Sequence, residues 1–213
     1  MATRVHLVRH GEVENPDHIV YADLQGFALS ATGMAQVRET ASYLSNRPIC
    51  AVCSSPLTRA MQTALAIATP HQVEVDVVDA LTEFGLSTRW RGRRWEELED
   101  QFPGEVDAYL NHPENLPFSP ESLGQMADRM GVFLRNLGAA HPEGEVVVVS
   151  HQDPIQAARL AMTGRPLSSF RDAKPEHAEV ITMEPDTPWR EIASWRPPIE
   201  SGPFPPPAGD SNS

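Results

Sequence analysis

Val5-His6-Leu7-Val8-Arg9-His10-Gly11-Glu12 is the stretch whose reading decides this chain. The run Arg4–Val8 reads as a β-strand, and an arginine and a histidine follow it, with a glycine directly after. Open α/β folds bind their ligands where a parallel sheet releases its chain. A guanidinium beside an imidazole suits an anionic, phosphorylated ligand. An Arg-His pair is common by chance, so its meaning rests on what the other strand ends carry.

Working outward, five strand-like runs stand at Arg4–Val8, Ile49–Cys53, Val73–Val78, Glu145–Ser150 and Glu179–Glu184. The fourth is a nearly unbroken valine run, as expected of a central strand covered on both faces. Helical patterns separate them. One carries Met34, Val37, Ala41 and Leu44, with Ser30 or Thr32 as cap. A second has Pro56 in its first turn and Leu57, Met61, Ala64, Leu65 and Ala68 as its apolar face. A third holds Leu123, Met126, Met130, Val132, Phe133 and Leu137, and a fourth spans Pro154–Met162, closed by Gly164. Strands alternating with helices predict an α/β fold, a three-layer α/β/α sandwich with a mostly parallel central sheet. The segment from about 95 to 120, rich in aromatic, acidic and proline residues, reads as a helical excursion over one end of the sheet. Ala178–Glu184 and Trp189–Trp195 read as a hairpin. The domain is therefore drawn over residues 1–196, with 197–213 a proline-rich tail expected to be disordered.

Composition narrows the function. With 17 basic and 29 acidic residues the net charge is -12, which argues against nucleic acid or an anionic membrane as partner. No signal peptide and no apolar run of membrane-spanning length are visible, so a cytoplasmic protein is expected. Cys50 and Cys53 form a C-x-x-C within a β-branched run. Residues three apart on a strand face opposite ways, and no second cysteine pair completes a zinc site, so both are read as buried structural thiols.

Four features fall at the carboxyl ends of the expected strands: Arg9-His10-Gly11, then Ser54-Ser55-Pro56-Leu57-Thr58-Arg59-Ala60, then Glu83, then Ser150-His151. Two arginines, two histidines and a carboxylate there outline one anion-handling pocket.

This constellation resembles the histidine phosphatase superfamily, which includes cofactor-dependent phosphoglycerate mutase and many phosphatases. Leu7–Glu12, Ser54–Ala64, Glu83 and Val148–His151 carry the likeness, with fainter echoes at Leu29-Ser30, Gly33, Trp95–Leu98 and Glu121–Leu123. The resemblance implies a phosphoglycerate mutase-like fold and a histidine acid phosphatase-type phosphoric monoester hydrolase acting on a small phosphorylated metabolite. It implies His10 as nucleophile, forming a phosphohistidine. Arg9, Arg59 and His151 hold the phosphoryl oxygens, and Glu83 is the general acid and base. No metal and no cofactor are required, and a homodimer is compatible with the reading. Phosphoglycerate mutase-type transfer is the alternative, as is a catalytically impaired phospholigand-binding module.

The sequence also departs from the family pattern. Gln152-Asp153-Pro154 stands where a glycine usually follows the second histidine, so Gln152 is read as a substrate contact. Asn15, one residue short of the usual asparagine, is read as a phosphate contact, and Gly11 as a substrate contact. Arg89-Trp90-Arg91-Gly92-Arg93-Arg94-Trp95 is a basic cluster in an acidic protein. Arg91 and Arg93 are assigned there to a second anionic group on the substrate, with Trp90 or Trp95 as a stacking face, the alternative being a solvated loop paired with Glu96, Glu97, Glu99 and Asp100.

Overall fold

The computed structural model describes residues 2–141 and 143–201, apart from the Ser87 side chain. Six strands form one sheet: β1 (Arg4–Arg9), β2 (Ile49–Ser54), β3 (Val75–Val77), β4 (Glu145–Ser150), β5 (Val180–Glu184) and β6 (Arg190–Trp195). Their spatial order is β3-β2-β4-β1-β5-β6. The first four run parallel, while β5 and β6 return antiparallel as the expected hairpin. The third strand keeps only the middle of the run read from sequence, because its side chains at the sheet edge have little to bury against.

Val146, Val147, Val148 and Val149 are fully buried, which explains their unbroken run. Each contributes about 1.5–3 kcal/mol of burial, so β4 is a firm base for the residue after it. Alternate valines serve opposite faces. Val146 and Val148 pack with α6 (Leu123–Ala140) and α7 (Gln152–Met162). Val147 and Val149 pack with α1 (Ala31–Leu44) and α2 (Thr58–His71). This gives the three expected layers.

Ser30 caps α1, its hydroxyl accepting from the Gly33 N–H at 2.9 Å. The start of α2 differs from expectation: the helix begins at Thr58, so Pro56 lies outside it. Leu65 and Val132, expected to face the core, are each 52% exposed. Cys53 is buried, and burial pushes its thiol up to about 12, whereas Cys50 is exposed rather than buried. Both are free thiols, as an alternating strand requires.

The excursion contains short helices α3 (Leu86–Arg89), α4 (Leu98–Gln101) and α5 (Glu105–Asn111). Phe84, Leu86, Trp90, Leu98, Val106 and Phe170 give it a core of its own against α6 and α7. Among the described residues, no helix is long and apolar enough to cross a membrane. Of the expected tail, residues 202–213 lie outside the described residues. Residues 197–201 are placed: Gln36 Nε2 donates to the Ile199 carbonyl at 3.3 Å and to Ser201 Oγ at 3.2 Å.

Candidate active site

A cavity of about 1190 Å³ opens at the carboxyl ends of the parallel strands, with Arg9, His10, Glu83, Gln152, Asp153 and His177 among its lining residues. His10 follows β1 directly and is buried. Its Nδ1 lies 2.8 Å from the Gly11 carbonyl, and its Nε2 lies 3.2 Å from Arg59 Nε. A carbonyl can only accept and a guanidinium can only donate. The proton therefore sits on Nδ1, and Nε2 presents a lone pair. Burial, then the charges of Arg59, His151 and Arg9, hold the imidazole well below its ordinary range, so it stays neutral.

Arg59 stands in the first turn of α2 and is fully buried. Its Nη2 donates to the Ala22 carbonyl at 2.8 Å, and its guanidinium lies 4.5 Å over the Tyr21 ring. Arg9 gives Nη1 to the Pro175 carbonyl (3.0 Å) and Nη2 to His177 Nε2 (2.8 Å). Among the described residues, neither arginine has a carboxylate within ion-pair distance. His151, the N-cap of α7, bonds through Nε2 to Ser55 Oγ at 2.8 Å, and its ring centre is 5.2 Å from that of His10. Arg9 Nε, Arg59 Nη1 and His151 Nδ1 are buried without a partner among the described residues. A buried, uncompensated cation is costly, and an orphaned donor nearly as much. One buried and one half-buried cation, with three partnerless buried nitrogens around one imidazole, therefore suit an anion.

Glu83 completes the group, with Oε2 3.8 Å from His151 Nδ1 and Oε1 accepting from the Phe84 N–H. Burial, then the negative charge of Asp153, raise its carboxyl above the usual range, against the pull of Arg59 and Arg9. Asp153 is itself tied down, 2.6 Å from Lys174 Nζ and 2.9 Å from the Tyr109 hydroxyl. A carboxyl whose hold on a proton is strengthened, beside an unprotonated imidazole, is suited to giving a proton to a leaving oxygen.

The five residues assigned to chemistry thus lie together, but the assigned binding residues divide. The Gly11 N–H goes to Thr63 Oγ1 at 3.3 Å. A Cβ there would meet the Gly33 carbonyl at 2.7 Å, so this glycine serves the close approach of the loop to α1 rather than substrate contact. Asn15 lines the cavity with both ends of its amide spent on Ile19, at 2.9 and 3.0 Å. Gln152 donates to the Pro175 carbonyl at 3.1 Å, and so braces the segment that also holds Arg9. Arg91 pairs with Asp23, and Arg89 with Glu105, which also accepts from the buried Trp90. Neither Arg91 nor Arg93 lines the cavity, whereas Trp90 and Trp95 do. The basic cluster spends Arg89 and Arg91 on nearby acids, an outcome favoured by the acidic composition. Sequence reasoning missed Tyr21, His177, Arg171 and Lys174. The last three lie in the link between α7 and β5, which has no periodic pattern to mark it.

Comparison with known proteins agrees with this geometry. The profile of the histidine phosphatase superfamily (branch 1) matches residues 5–196. The uncharacterized protein Rv0525 of Mycobacterium tuberculosis is 41% identical over 176 residues, covering 78% of this chain and 81% of that protein. Phosphoserine phosphatase 1 of Hydrogenobacter thermophilus is 34% identical, covering 84% of this chain and 85% of that one. The solved structure of the mycobacterial glucosyl-3-phosphoglycerate phosphatase Rv2419c superposes with a TM-score of 0.81 at 25% identity, covering 90% of this chain and 98% of that one. With its profile spanning the strands that carry Arg9, His10, Arg59 and His151, the chain belongs to the histidine phosphatase superfamily.

Proposed function

We propose that the protein is a metal-independent phosphomonoester hydrolase that acts on a small phosphorylated metabolite through a phosphohistidine on His10. The observation that carries this is the tautomer of His10, whose Nε2 lies unprotonated beside two guanidinium groups that have no carboxylate within ion-pair distance among the described residues. Nε2 attacks phosphorus, the N–P bond forms, and the bond to the ester oxygen breaks. That oxygen takes the proton of Glu83. Arg9, Arg59 and His151 stabilise the charge on the three other phosphoryl oxygens during transfer, the work that a metal ion does elsewhere. Water then attacks phosphorus, Glu83 recovers its proton from that water, the N–P bond breaks, and inorganic phosphate leaves. Gln152 and Asp153 leave this path clear, since both side chains are tied to the cavity wall. That favours a working enzyme over an impaired binding module. The relatives named as phosphatases support hydrolysis over retention of the phosphoryl group.

The test combines a rapid quench with phosphate release from a panel of phosphorylated metabolites, without added metal. Wild type is expected to trap an acid-labile, base-stable phosphoenzyme, and His10→Ala none. Glu83→Gln is expected to slow an alkyl phosphate by about 10²- to 10⁴-fold. It should slow p-nitrophenyl phosphate much less, because nitrophenolate leaves without a proton. Turnover that survives in His10→Ala overturns the mechanism. Interconversion of phosphoglycerates without phosphate release would establish the mutase instead.

A further inference from the structure

Arg9, half-buried at the end of β1, is held in an unusual way. Its fork rests on two uncharged acceptors from one segment: the Pro175 carbonyl at 3.0 Å and His177 Nε2 at 2.8 Å. Because the guanidinium can only donate, His177 must present a bare Nε2 and carry its proton on Nδ1. That Nδ1–H donates to Ser201 Oγ at 2.7 Å, and Ser201 in turn accepts from Gln36 on α1. The ring of His177 lies 5.9 Å from that of His10. We infer that His177 is a positioning residue, one that orients the guanidinium of Arg9 with an uncharged acceptor and so leaves its full charge for the phosphoryl group. This inference rests on the hydrolase reading of the same site.

The choice of acceptor is the physical point. A carboxylate in place of His177 would orient Arg9 as well, but would neutralise it and compete with phosphate. Burial, with the charge of Arg9, pushes the His177 imidazole down to about 2, so it remains an uncharged acceptor throughout the working range. The Nε–H of Arg9 is buried and without a partner among the described residues. Sequence offered no sign of this, since His177 lies in a loop 168 positions from Arg9.

Orthovanadate, a mimic of the transferring phosphoryl group, supplies a probe that does not depend on the physiological substrate. Its affinity would be measured calorimetrically, and by inhibition of p-nitrophenyl phosphate hydrolysis, for wild type, His177→Phe, His177→Gln, Arg9→Ala and the Arg9→Ala/His177→Phe double variant. Phe keeps the ring and removes the acceptor, and is expected to weaken orthovanadate by about tenfold or more with the melting temperature retained. Gln, whose Oε1 can accept in place of Nε2, is expected to recover affinity to within about threefold of wild type. Where Arg9 is already alanine, adding Phe is expected to change affinity by less than about twofold, because the two act as one unit. His177→Leu serves the same comparison if Phe proves too large. Wild-type affinity in the Phe variant, a Gln variant as weak as Phe, or an equal loss with and without Arg9 would each overturn the inference. A wild type that binds orthovanadate but forms no phosphohistidine overturns the hydrolase reading alone and leaves this comparison standing.

Discussion

His6 and His10 sit four residues apart at one strand and its end, both buried, and their surroundings are opposite in kind. His6 is matched on both nitrogens: Nδ1 lies 3.0 Å from Thr182 Oγ1 and Nε2 lies 2.8 Å from Glu145 Oε2. Glu145 is matched further by Arg4 and Arg47, each at 3.4 Å. Burial lowers the affinity of His6 for a proton, with the Glu145 hydrogen bond and charge pulling the other way. Around His10, among the described residues, no carboxylate lies within ion-pair distance of Arg9 or Arg59, and three buried nitrogens are left without a partner. The first region is a closed polar network that holds three strands in register. The second is an incomplete one, suited to completion by the anion of the proposed substrate. Burial of a polar residue therefore says little about function until its partners are counted.

The comparison breaks most decisively on turnover. His10→Ala is expected to lower phosphate release by about 10⁴-fold or more, since no other group supplies the nucleophile. Its melting temperature should fall only modestly, the loss being chiefly one acceptor for Arg59 Nε. Phosphate release and thermal unfolding on the same preparation check both halves; a large stability loss would place His10 with His6 as structural. Next in size is Arg59→Met, expected to cost about 10³-fold in kcat/KM through lost stabilisation of the transferring group. Inorganic phosphate or orthovanadate should raise the melting temperature of wild type. It should do little for Arg59→Met, and equal stabilisation of both would show that the anion binds elsewhere.

The same contrast explains how far the sequence could be read. The valine run of β4, the alternation of strands and helices, and the placing of Arg9, His10, Arg59 and His151 at strand ends were all legible. Each follows from periodicity or from its position next to a strand. The motif around Arg59 even carries its own support, since Thr63, one turn on, accepts the Gly11 N–H and ties α2 to the loop after β1. Arg91 and Arg93 misled because a cluster of charge says nothing of its partners, and Asp23 lies far off in sequence. His177 and Tyr21 stayed hidden for the converse reason. Each acts through a contact made only in three dimensions, by a residue type that loops carry for many purposes.

His6 supplies the reciprocal prediction. His6→Ala leaves Thr182 and Glu145 buried with fewer partners, and is expected to cost about 1–3 kcal/mol of stability. Turnover per folded molecule should stay within about twofold of wild type, because nothing in the His6 network reaches the cavity. Denaturant unfolding and active-site titration with orthovanadate separate the two quantities. A fall in turnover comparable to that of Arg59→Met would mean that the two networks are coupled through β1, and the division drawn between them would fail.

Asp153 lies between the two regimes and gives the smallest but sharpest test. It is fully matched by Lys174 and Tyr109, as His6 is matched, yet its charge acts on Glu83 inside the reactive cluster. Glu83 must hold a proton to release an alkyl leaving group, so kcat/KM falls as pH rises through its raised pKa. In Asp153→Asn the negative charge that helps raise that pKa is gone, and the Lys174 ammonium, now without a counter-charge, pulls it down further. Both effects have the same sign. The alkaline limb of kcat/KM for an alkyl phosphate should therefore move to lower pH. For p-nitrophenyl phosphate, which needs no proton on leaving, the limb should move much less. A shift to higher pH, or equal shifts for both substrates, would remove Asp153 from the control of Glu83 and leave it a wall residue only. The difference between substrates is what ties the effect to the proton on Glu83 rather than to a general loosening of the cavity.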